Sequence, residues 1–291
     1  MLLLGGVVVM NGIMIINKIS GITSRDVVNI AIKKLNTKKI GHTGTLDPIA
    51  TGVMILCIGK CTKLVDLLTS NDKEYIAEVT LGIKTDTLDI TGNIIEKKDI
   101  CIKKDELIDV LNSFKGKYNQ EVPIYSAVKI NGKKLYEYAR NGEIIDLPKR
   151  EVDIKNIELI NFDNNKFTFK CLVSKGTYIR SLIKDICDSL NVIGTMSKLT
   201  RTKQGKFSIK DSISIEDISS NNIIDIRDIL DIKKIIVNDN LKFRIINGQI
   251  LDNKYNTDLV LFINNNELLA IYKKYENNKI KPYIMFYDKI N

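Results

Sequence analysis

The segment Gly41-His42-Thr43-Gly44-Thr45-Leu46-Asp47-Pro48 is the most informative stretch of this sequence. It places the only histidine of the 291 residues five positions before a carboxylate, between a helical and a strand-like stretch. Glycine lets a backbone run close to a ligand, and loops held by rigid elements often carry catalytic groups. On composition alone, an Asp-Pro beside glycines more often indicates an ordinary turn. The neighbouring motifs have to decide between these two interpretations.

The elements on both sides of this loop predict an α+β fold. Residues 13–16 have the composition of a buried strand, and Thr23 or Ser24 can cap a helix whose apolar residues form one stripe. Residues 74–81 alternate in polarity as a half-buried strand does. Further strands are predicted at 53–58, 124–130, 151–162 and 166–173, and further helices at 60–68, 105–114, 134–140 and 177–190. Because no regular βαβ rhythm appears, we expect a mixed, largely antiparallel sheet flanked by helices.

The C-terminal part of the sequence predicts a second unit. A polar stretch at 211–231 separates it, and short strands at 260–263, 268–272 and 283–287 alternate with Asn-rich turns. We therefore divide the chain into a large domain over residues 10–232 and a small β-rich module over residues 233–291. Residues 1–9 lack the basic region and the cleavage site of a signal peptide. We expect them to be a non-native leader, with Met10 as the true start.

The charge distribution indicates a polyanionic partner. The net charge is +9, of which residues 1–70 contribute +5 and residues 233–291 contribute +4, while the middle of the chain is balanced. Such asymmetry is typical of a nucleic-acid interface. A lysine-rich solvated surface explains the same numbers and stays open as an alternative.

The cysteines and the hydropathy pattern indicate a cytoplasmic protein. The five cysteines are scattered among apolar residues, which predicts buried reduced thiols rather than disulfides or a zinc site. No apolar stretch approaches the ~18 uncharged residues of a membrane span. No P-loop or dinucleotide fingerprint occurs either, so we expect no nucleotide cofactor and no metal.

Four further segments carry residues with chemical potential. They are Asp72-Lys73-Glu74-Tyr75, the stretch from Thr85 to Gly92, the stretch from Ser174 to Leu182, and Met196-Ser197-Lys198-Leu199-Thr200-Arg201. In the third, a glycine turn delivers Tyr178 and Arg180 into the first turn of a helix. Each residue taken singly has a structural explanation: a half-buried aromatic, a turn cap or a surface cation.

Taken together, these motifs resemble the TruB family, the bacterial tRNA pseudouridine-55 synthases. The resemblance rests on the Gly-His-Thr-Gly-Thr-Leu-Asp-Pro loop and on Lys-Gly-Thr-Tyr-Ile-Arg at 175–180. It also includes Lys-Glu-Tyr at 73–75, Thr-Asp-Thr-x-Asp-x-x-Gly at 85–92 and Ser-Ala-x-Lys-x-x-Gly-x-x-x-Tyr-x-x-Ala-Arg at 126–140. It runs from about Gly12 to about Ser212, and the C-terminal module is similar to the family's PUA-like domain. One departure is Asn17-Lys18-Ile19, where the family usually has Asp-Lys-Pro.

The resemblance implies a reaction and a set of roles. Uridine becomes pseudouridine when the N1–C1′ bond breaks, the uracil rotates and C5 joins C1′. Asp47 would be the essential carboxylate, Arg180 would hold it ionised, and Tyr75 would stack on the uracil and move a proton. Tyr178 and Leu199 would line the base pocket. The implied catalytic residues are Asp47, Tyr75 and Arg180, and the implied substrate-binding residues are Lys18, His42, Tyr178 and Leu199.

The resemblance also implies a partner and leaves alternatives. The substrate would be the T-arm of tRNA, from which the target uridine must flip out while His42 stacks in the gap. The larger domain would be catalytic, the module would bind RNA, and the chain would act as a monomer. An RNA-binding protein without turnover and a synthase working in a guide-RNA complex remain rival hypotheses. Whether Asp47 attacks C1′ or C6, or promotes elimination through a glycal, also stays open.

Overall fold

A computed structural model describes residues 3–4, 7–8, 10–69, 72–163 and 165–287. Most of the predicted leader, residues 1–9, lies outside the described residues. Of this segment the structure describes Leu3–Leu4 and Val7–Val8, which pair as short antiparallel strands. Within the described ranges, every helix is too short or too polar to cross a lipid bilayer.

A mixed sheet forms the centre of the larger domain, as predicted. Within the described part of the chain its nine strands are β1 Gly12–Lys18, β2 Ile40–His42, β3 Thr51–Ile58, β4 Lys73–Leu81, β5 Gly116–Glu121, β6 Lys149–Asp163, β7 Lys166–Val173, β8 Gly194–Gln204 and β9 Phe207–Ser208. Their order is β1-β3-β8-β4-β7-β6-β5, with β2 paired to β3 and β9 to β8. The β3–β8 pair is parallel, and the other pairs are antiparallel.

The helices cover this sheet through their apolar stripes. They are α1 Ser24–Leu35, α2 Val65–Thr69, α3 Lys104–Ser113, α4 Leu135–Arg140, α5 Ile179–Ser189, α6 Ile226–Ile229 and α7 Asp239–Ile246, with 3-10 turns at Gly59–Leu64, Ile209–Asp211 and Ser220–Asn222. Thr23 caps α1 as predicted, and Asp26 closes a capping box with it. The buried side chains of α1 pack on β1 and β3, whereas α3 and α5 pack on β4, β6 and β7.

A second sheet occupies the C-terminal part. Its strands are β10 Lys233–Ile236, β11 Leu251–Asp252, β12 Leu259–Asn264, β13 Glu267–Tyr275 and β14 Lys279–Met285, in the order β10-β12-β13-β14-β11. Leu261, Ile271 and Ile284 belong to the same buried cluster as Ile13 and Val53, so the two sheets share one apolar core. Small hairpins outside both sheets pair Ile83–Thr85 with Ile94–Lys97 and Lys129–Ile130 with Lys133–Lys134.

The structure differs from the sequence predictions in several elements, and the predicted helix at 60–68 is a 3-10 turn over Gly59–Leu64 followed by the short helix α2. The strand predicted at 124–130 is formed only at Lys129–Ile130, because the preceding residues make a tight turn in which Ser126 N–H donates to the Ile124 carbonyl. The long strand β8 was not predicted, since register shifts at Met196/Lys198 and Arg201/Lys203 break its two-residue period. All five cysteines are free and four are buried as expected, but Cys101 is exposed.

Candidate active site

The loop between β2 and β3 carries Asp47 and is held by bonds to its backbone carbonyls. The Ser24 hydroxyl donates to the Leu46 carbonyl at 3.1 Å and accepts from Leu46 N–H at 2.8 Å. Gly21 N–H donates to the Pro48 carbonyl, and Ala50 N–H turns back to the Asp47 carbonyl. Asp47 therefore lies at the end of a short turn whose backbone is anchored on both sides.

Arg180 forms a bidentate ion pair with the Asp47 carboxylate. Its Nε lies 2.9 Å from one carboxylate oxygen, and its Nη2 lies 3.0 Å from the other. Its guanidinium also reaches the Thr87 carbonyl at 3.0 Å and the Tyr125 carbonyl at 3.1 Å. The arginine side chain is 7% exposed and the aspartate side chain 29% exposed. Such a two-pronged, charge-assisted pair fixes the orientation of the carboxylate as well as its charge.

An apolar wall adjoins the Asp47 loop. Tyr75 on β4 and Leu199 on β8 are buried, and both belong to the same cluster as Leu46 and Ala50. Within the described part of the chain, the Tyr75 hydroxyl has no hydrogen-bond partner. The tyrosine therefore combines an apolar ring with a hydroxyl free to meet a ligand.

Tyr178 stands at the start of α5 and is held by a residue that the sequence did not single out. Gln120 on β5 accepts from Tyr178 N–H at 2.8 Å and donates to its carbonyl at 3.1 Å. Gln120 also donates to the Tyr118 hydroxyl, which donates to Asp185. Residues 116–121 were not predicted as a strand, and no signal in the sequence pointed to Gln120.

His42 ends β2 on the same loop as Asp47 and is half-buried. Its Nδ1 accepts from Gly44 N–H at 3.3 Å. Burial, together with the positive charges of Arg25 and Arg201, lowers the pKa of His42 below its usual value. The ring is consequently neutral at pH 7 and suited to stacking rather than to ion pairing.

Lys18 lies beneath the loop rather than at its open side. The side chain is fully buried, and Nζ donates to the carbonyls of Ile19, Pro48 and Ala50 at 3.0, 3.1 and 2.7 Å. Burial lowers the pKa of Lys18 to about 8, although the nearby Asp47 charge opposes this. Because its ammonium is fully engaged by the backbone, Lys18 supports the loop and is poorly placed for the direct substrate contact that the resemblance implies.

The segment from Thr85 to Gly92 builds a turn that its own side chains close. Asp89 accepts from the Thr87 and Thr91 side chains, and Asp86 accepts from Asn93 N–H. These carboxylates cap the turn, which was the structural explanation left open for them. The turn contributes to the site through the Thr87 carbonyl that holds Arg180. Within the described residues, no cluster of potential metal ligands occurs.

Comparison with known proteins identifies the family of this sequence. Residues 33–179 match the model of the N-terminal domain of TruB family pseudouridylate synthases. The chain is 45% identical to tRNA pseudouridine synthase B of Caldicellulosiruptor saccharolyticus, over 84% of this chain and 85% of that protein. It is 42% identical to the enzyme of the same name from Oceanobacillus iheyensis, over 95% of this chain and 98% of that protein.

Solved structures share the fold. One is an H/ACA RNP bound to a substrate RNA containing 2′-deoxyuridine, with a TM-score of 0.69 and 23% identity over 96% of this chain and 86% of that one. A Cbf5-Nop10-Gar1 complex has a TM-score of 0.68 and 25% identity, over 97% of this chain and 85% of that one. The motifs, the paired Asp47 and Arg180, and these matches agree, and the chain belongs to the TruB family of pseudouridylate synthases, which are isomerases.

Proposed function

We propose that this chain converts uridine 55 in the T-loop of tRNA into pseudouridine, acting alone on the free tRNA. The observation that carries the proposal is the Asp47–Arg180 pair beside the apolar wall of Tyr75 and Leu199. The tRNA substrate is supported by relatives named tRNA pseudouridine synthase B that match nearly the whole chain.

The reaction needs a carboxylate at the scissile glycosidic bond. Breaking N1–C1′ leaves positive charge at the sugar carbon, and an ionised Asp47 meets that need as nucleophile or as stabiliser. Arg180 keeps the carboxylate ionised and aimed, because a cation beside a carboxylate favours its charged form. Attack at C1′, attack at C6 and elimination through a glycal with Tyr75 as base all start from this arrangement.

Rejoining requires that the uracil be held after the bond breaks. Tyr75 stacks on the ring, while Tyr178 and Leu199 close the pocket around it. Once the base has rotated, C5 bonds to C1′ and loses its hydrogen as a proton while N1 takes up a proton, so atoms and electrons balance without any cofactor. The uracil must rotate before it is rejoined, and an apolar pocket permits this rotation because the burial of apolar surface is non-directional.

The target uridine reaches the pocket by leaving its stack, which costs about a few kcal/mol. His42 lies on the same loop as Asp47, and its neutral ring fills the gap left by the base. Residues 10–232 form the catalytic domain, and residues 233–291 form a PUA-like module whose positive charge holds phosphates. We expect the monomeric enzyme to work in the cytoplasm, where free tRNA and reduced thiols coexist.

The test is release of tritium from a tRNA transcript labelled at uracil C5, because only rejoining through C5 expels that hydrogen. Wild-type protein should release the label without any cofactor, guide RNA or second protein, and Asp47→Ala should not. Asp72→Ala removes an exposed carboxylate that pairs with Lys155 and serves as the matched control. A transcript with cytidine at position 55 should release nothing.

Two outcomes would contradict the proposal. Salt-sensitive tRNA binding without tritium release would favour an RNA-binding protein or a guide-dependent enzyme. Release that persists with cytidine at position 55 would move the target elsewhere.

A further inference from the structure

Arg201 has no part in the proposed chemistry, yet it is the largest fully buried side chain in the described part of the chain. It lies on β8 and is 1% exposed. In the described residues no carboxylate forms an ion pair with it. A buried cation without a carboxylate is costly unless its donors are hydrogen-bonded. The donors of Arg201 must therefore find acceptors inside the protein, and the identity of these acceptors indicates what the side chain does.

The guanidinium bonds to both ends of the loop that carries Asp47. Its Nε donates to the Val53 carbonyl at 2.6 Å, and its Nη2 donates to the Gly44 carbonyl at 3.1 Å. These carbonyls bracket the turn in which Asp47 lies. Gly44 also donates its N–H to His42 Nδ1. A single planar group thus connects the segment of His42 with the far end of the loop.

The backbone of strand β3 approaches Arg201 closely at a glycine. Gly52 has φ +102°, and a Cβ there would lie 2.2 Å from the Arg201 carbonyl oxygen. Arg201 and Gly52 face each other in the parallel β3–β8 pairing. A Cβ on Gly44 would lie 3.4 Å from Nη1. Glycine at position 52 is therefore required for the close approach of the two strands, which brings the guanidinium to the loop.

We infer that Arg201 is a positioning residue that sets the distance between the two ends of the 44–53 loop, and so aims His42 and Asp47. This inference rests on the proposed function. The two donors of a guanidinium have a fixed separation in one plane, which a lysine nitrogen cannot reproduce. Because misplacing a catalytic group by about 1 Å can reduce the rate by about a hundredfold, a device that fixes the loop has a measurable effect.

The first readout is catalysis. Arg201→Met removes both donors, and Arg201→Lys keeps the charge but offers one nitrogen. Thr202→Val is the matched control, since Thr202 is next in the same strand and bonds to Glu74 instead of the loop. At saturating enzyme, both Arg201 variants should lower the single-turnover rate constant for tritium release by about a hundredfold. The dissociation constant for tRNA, which depends mainly on phosphate contacts, should change far less.

The second readout does not need activity. His42 is the only histidine, so its ring signals in the NMR spectrum are unambiguous. With Nδ1 accepting from Gly44 N–H, the neutral ring carries its proton on Nε2. Wild type and Thr202→Val should show this tautomer with the same shifts. Arg201→Met and Arg201→Lys should shift or broaden the His42 signals while the remaining spectrum stays dispersed.

The outcomes separate this inference from the proposed function. If wild type is active and folded Arg201→Met keeps both its rate and its His42 spectrum, the inference is overturned and the proposed function stands. Where Arg201→Met does not fold, Arg201→Lys decides, and wild-type activity in that variant overturns the inference. If wild type itself releases no tritium, the proposed function fails, and the His42 spectra still test whether Arg201 sets the loop.

Discussion

The two sides of strand β4 show two different uses of charge. On one side, Glu74 pairs with Lys170 and Lys203, and Glu78 pairs with Lys166 and Lys198; each lysine is at least 36% exposed. On the other, Tyr75 and Ala77 face the buried cluster that adjoins the Asp47 loop. The cations that hold this loop are Lys18, Arg180 and Arg201.

The partners of the charges differ as much as their burial. The exposed lysines meet the partly buried carboxylates of Glu74 and Glu78 at the protein surface, and surface pairs of this kind contribute about 0–1 kcal/mol. The buried cations donate mainly to backbone carbonyls, among them those of Gly44, Pro48, Ala50 and Val53. The buried cations thus maintain the shape of one loop, whereas we expect each exposed ion pair to be replaceable with little loss of stability. The predictions below test this difference, in order of decreasing effect.

Arg180→Met should have the largest effect, because it leaves the Asp47 carboxylate unpaired and two carbonyls without a donor. We expect the free energy of unfolding to fall by about 3 kcal/mol. The single-turnover rate of tritium release should fall by at least about a hundredfold. Urea unfolding and rapid-quench assays measure the two quantities. Lys198→Met is the exposed counterpart, and equal losses in both variants would remove the distinction between the two sides.

His42→Ala should act on binding more than on bond breaking. His42 shares a loop with Asp47, but within the described part of the chain its ring forms no hydrogen bond with Asp47 or Arg180, and its proposed task is to fill the vacated stack. We expect the tRNA dissociation constant to rise by about tenfold, a part of the flipping cost of about a few kcal/mol. Filter binding and single-turnover rates at saturating enzyme separate the two effects. An equal loss in the saturated rate would assign His42 to the chemistry instead.

The contributions of Lys18 and Glu74 to the free energy of unfolding should change with pH in different ranges, alkaline for Lys18 and acidic for Glu74. The pKa of Lys18 is lowered by burial to about 8, so between about pH 8 and 10 the unfolded chain holds a proton that the native chain has released. Stability in this window should therefore rise with pH relative to Lys18→Met. Burial raises the pKa of Glu74, but bonds from Thr202 and Lys170 outweigh it, and the net pKa is lowered. Its contribution is present above about pH 4.5 and is lost as the pH falls further.

The measurement for both is urea unfolding across pH, with Lys18→Met and Glu74→Gln as reference variants. A flat difference between wild type and Lys18→Met from about pH 8 to 10 would show that the buried ammonium keeps its proton.

Glu78→Gln should have the smallest effect. The substitution removes the charge that pairs with two exposed lysines, while the amide oxygen that replaces the carboxylate can still accept from Ser197. We expect a loss of at most about 1 kcal/mol, smaller still at high salt, and an unchanged rate of tritium release. Urea unfolding at two salt concentrations checks it. A large salt-independent loss would mean that the outer charges support the loop as the buried ones do.

Much of the fold could be predicted because local signals agree with it. The capping box of Thr23 and Asp26 and the alternation along β4 are written in neighbouring residues. Strand β8 escaped prediction although it lies between β3 and β4, because its bulges place successive residues out of a two-residue period. The role of Gln120 escaped as well, since its contact with Tyr178 joins positions 58 residues apart.

The sequence by itself determined the family, the mixed sheet and the pairing of the Asp47 carboxylate with the Arg180 guanidinium. Motif residues and polarity periods are local properties of the chain. Only the tertiary structure showed that Lys18 and Arg201 hold that loop together with Arg180. Lys18, expected at the substrate, lies beneath the backbone, and Arg201, seen only as the end of a motif, bonds to Gly44 and Val53. Long-range hydrogen bonds to backbone carbonyls leave no mark in the sequence, since every residue supplies the same carbonyl.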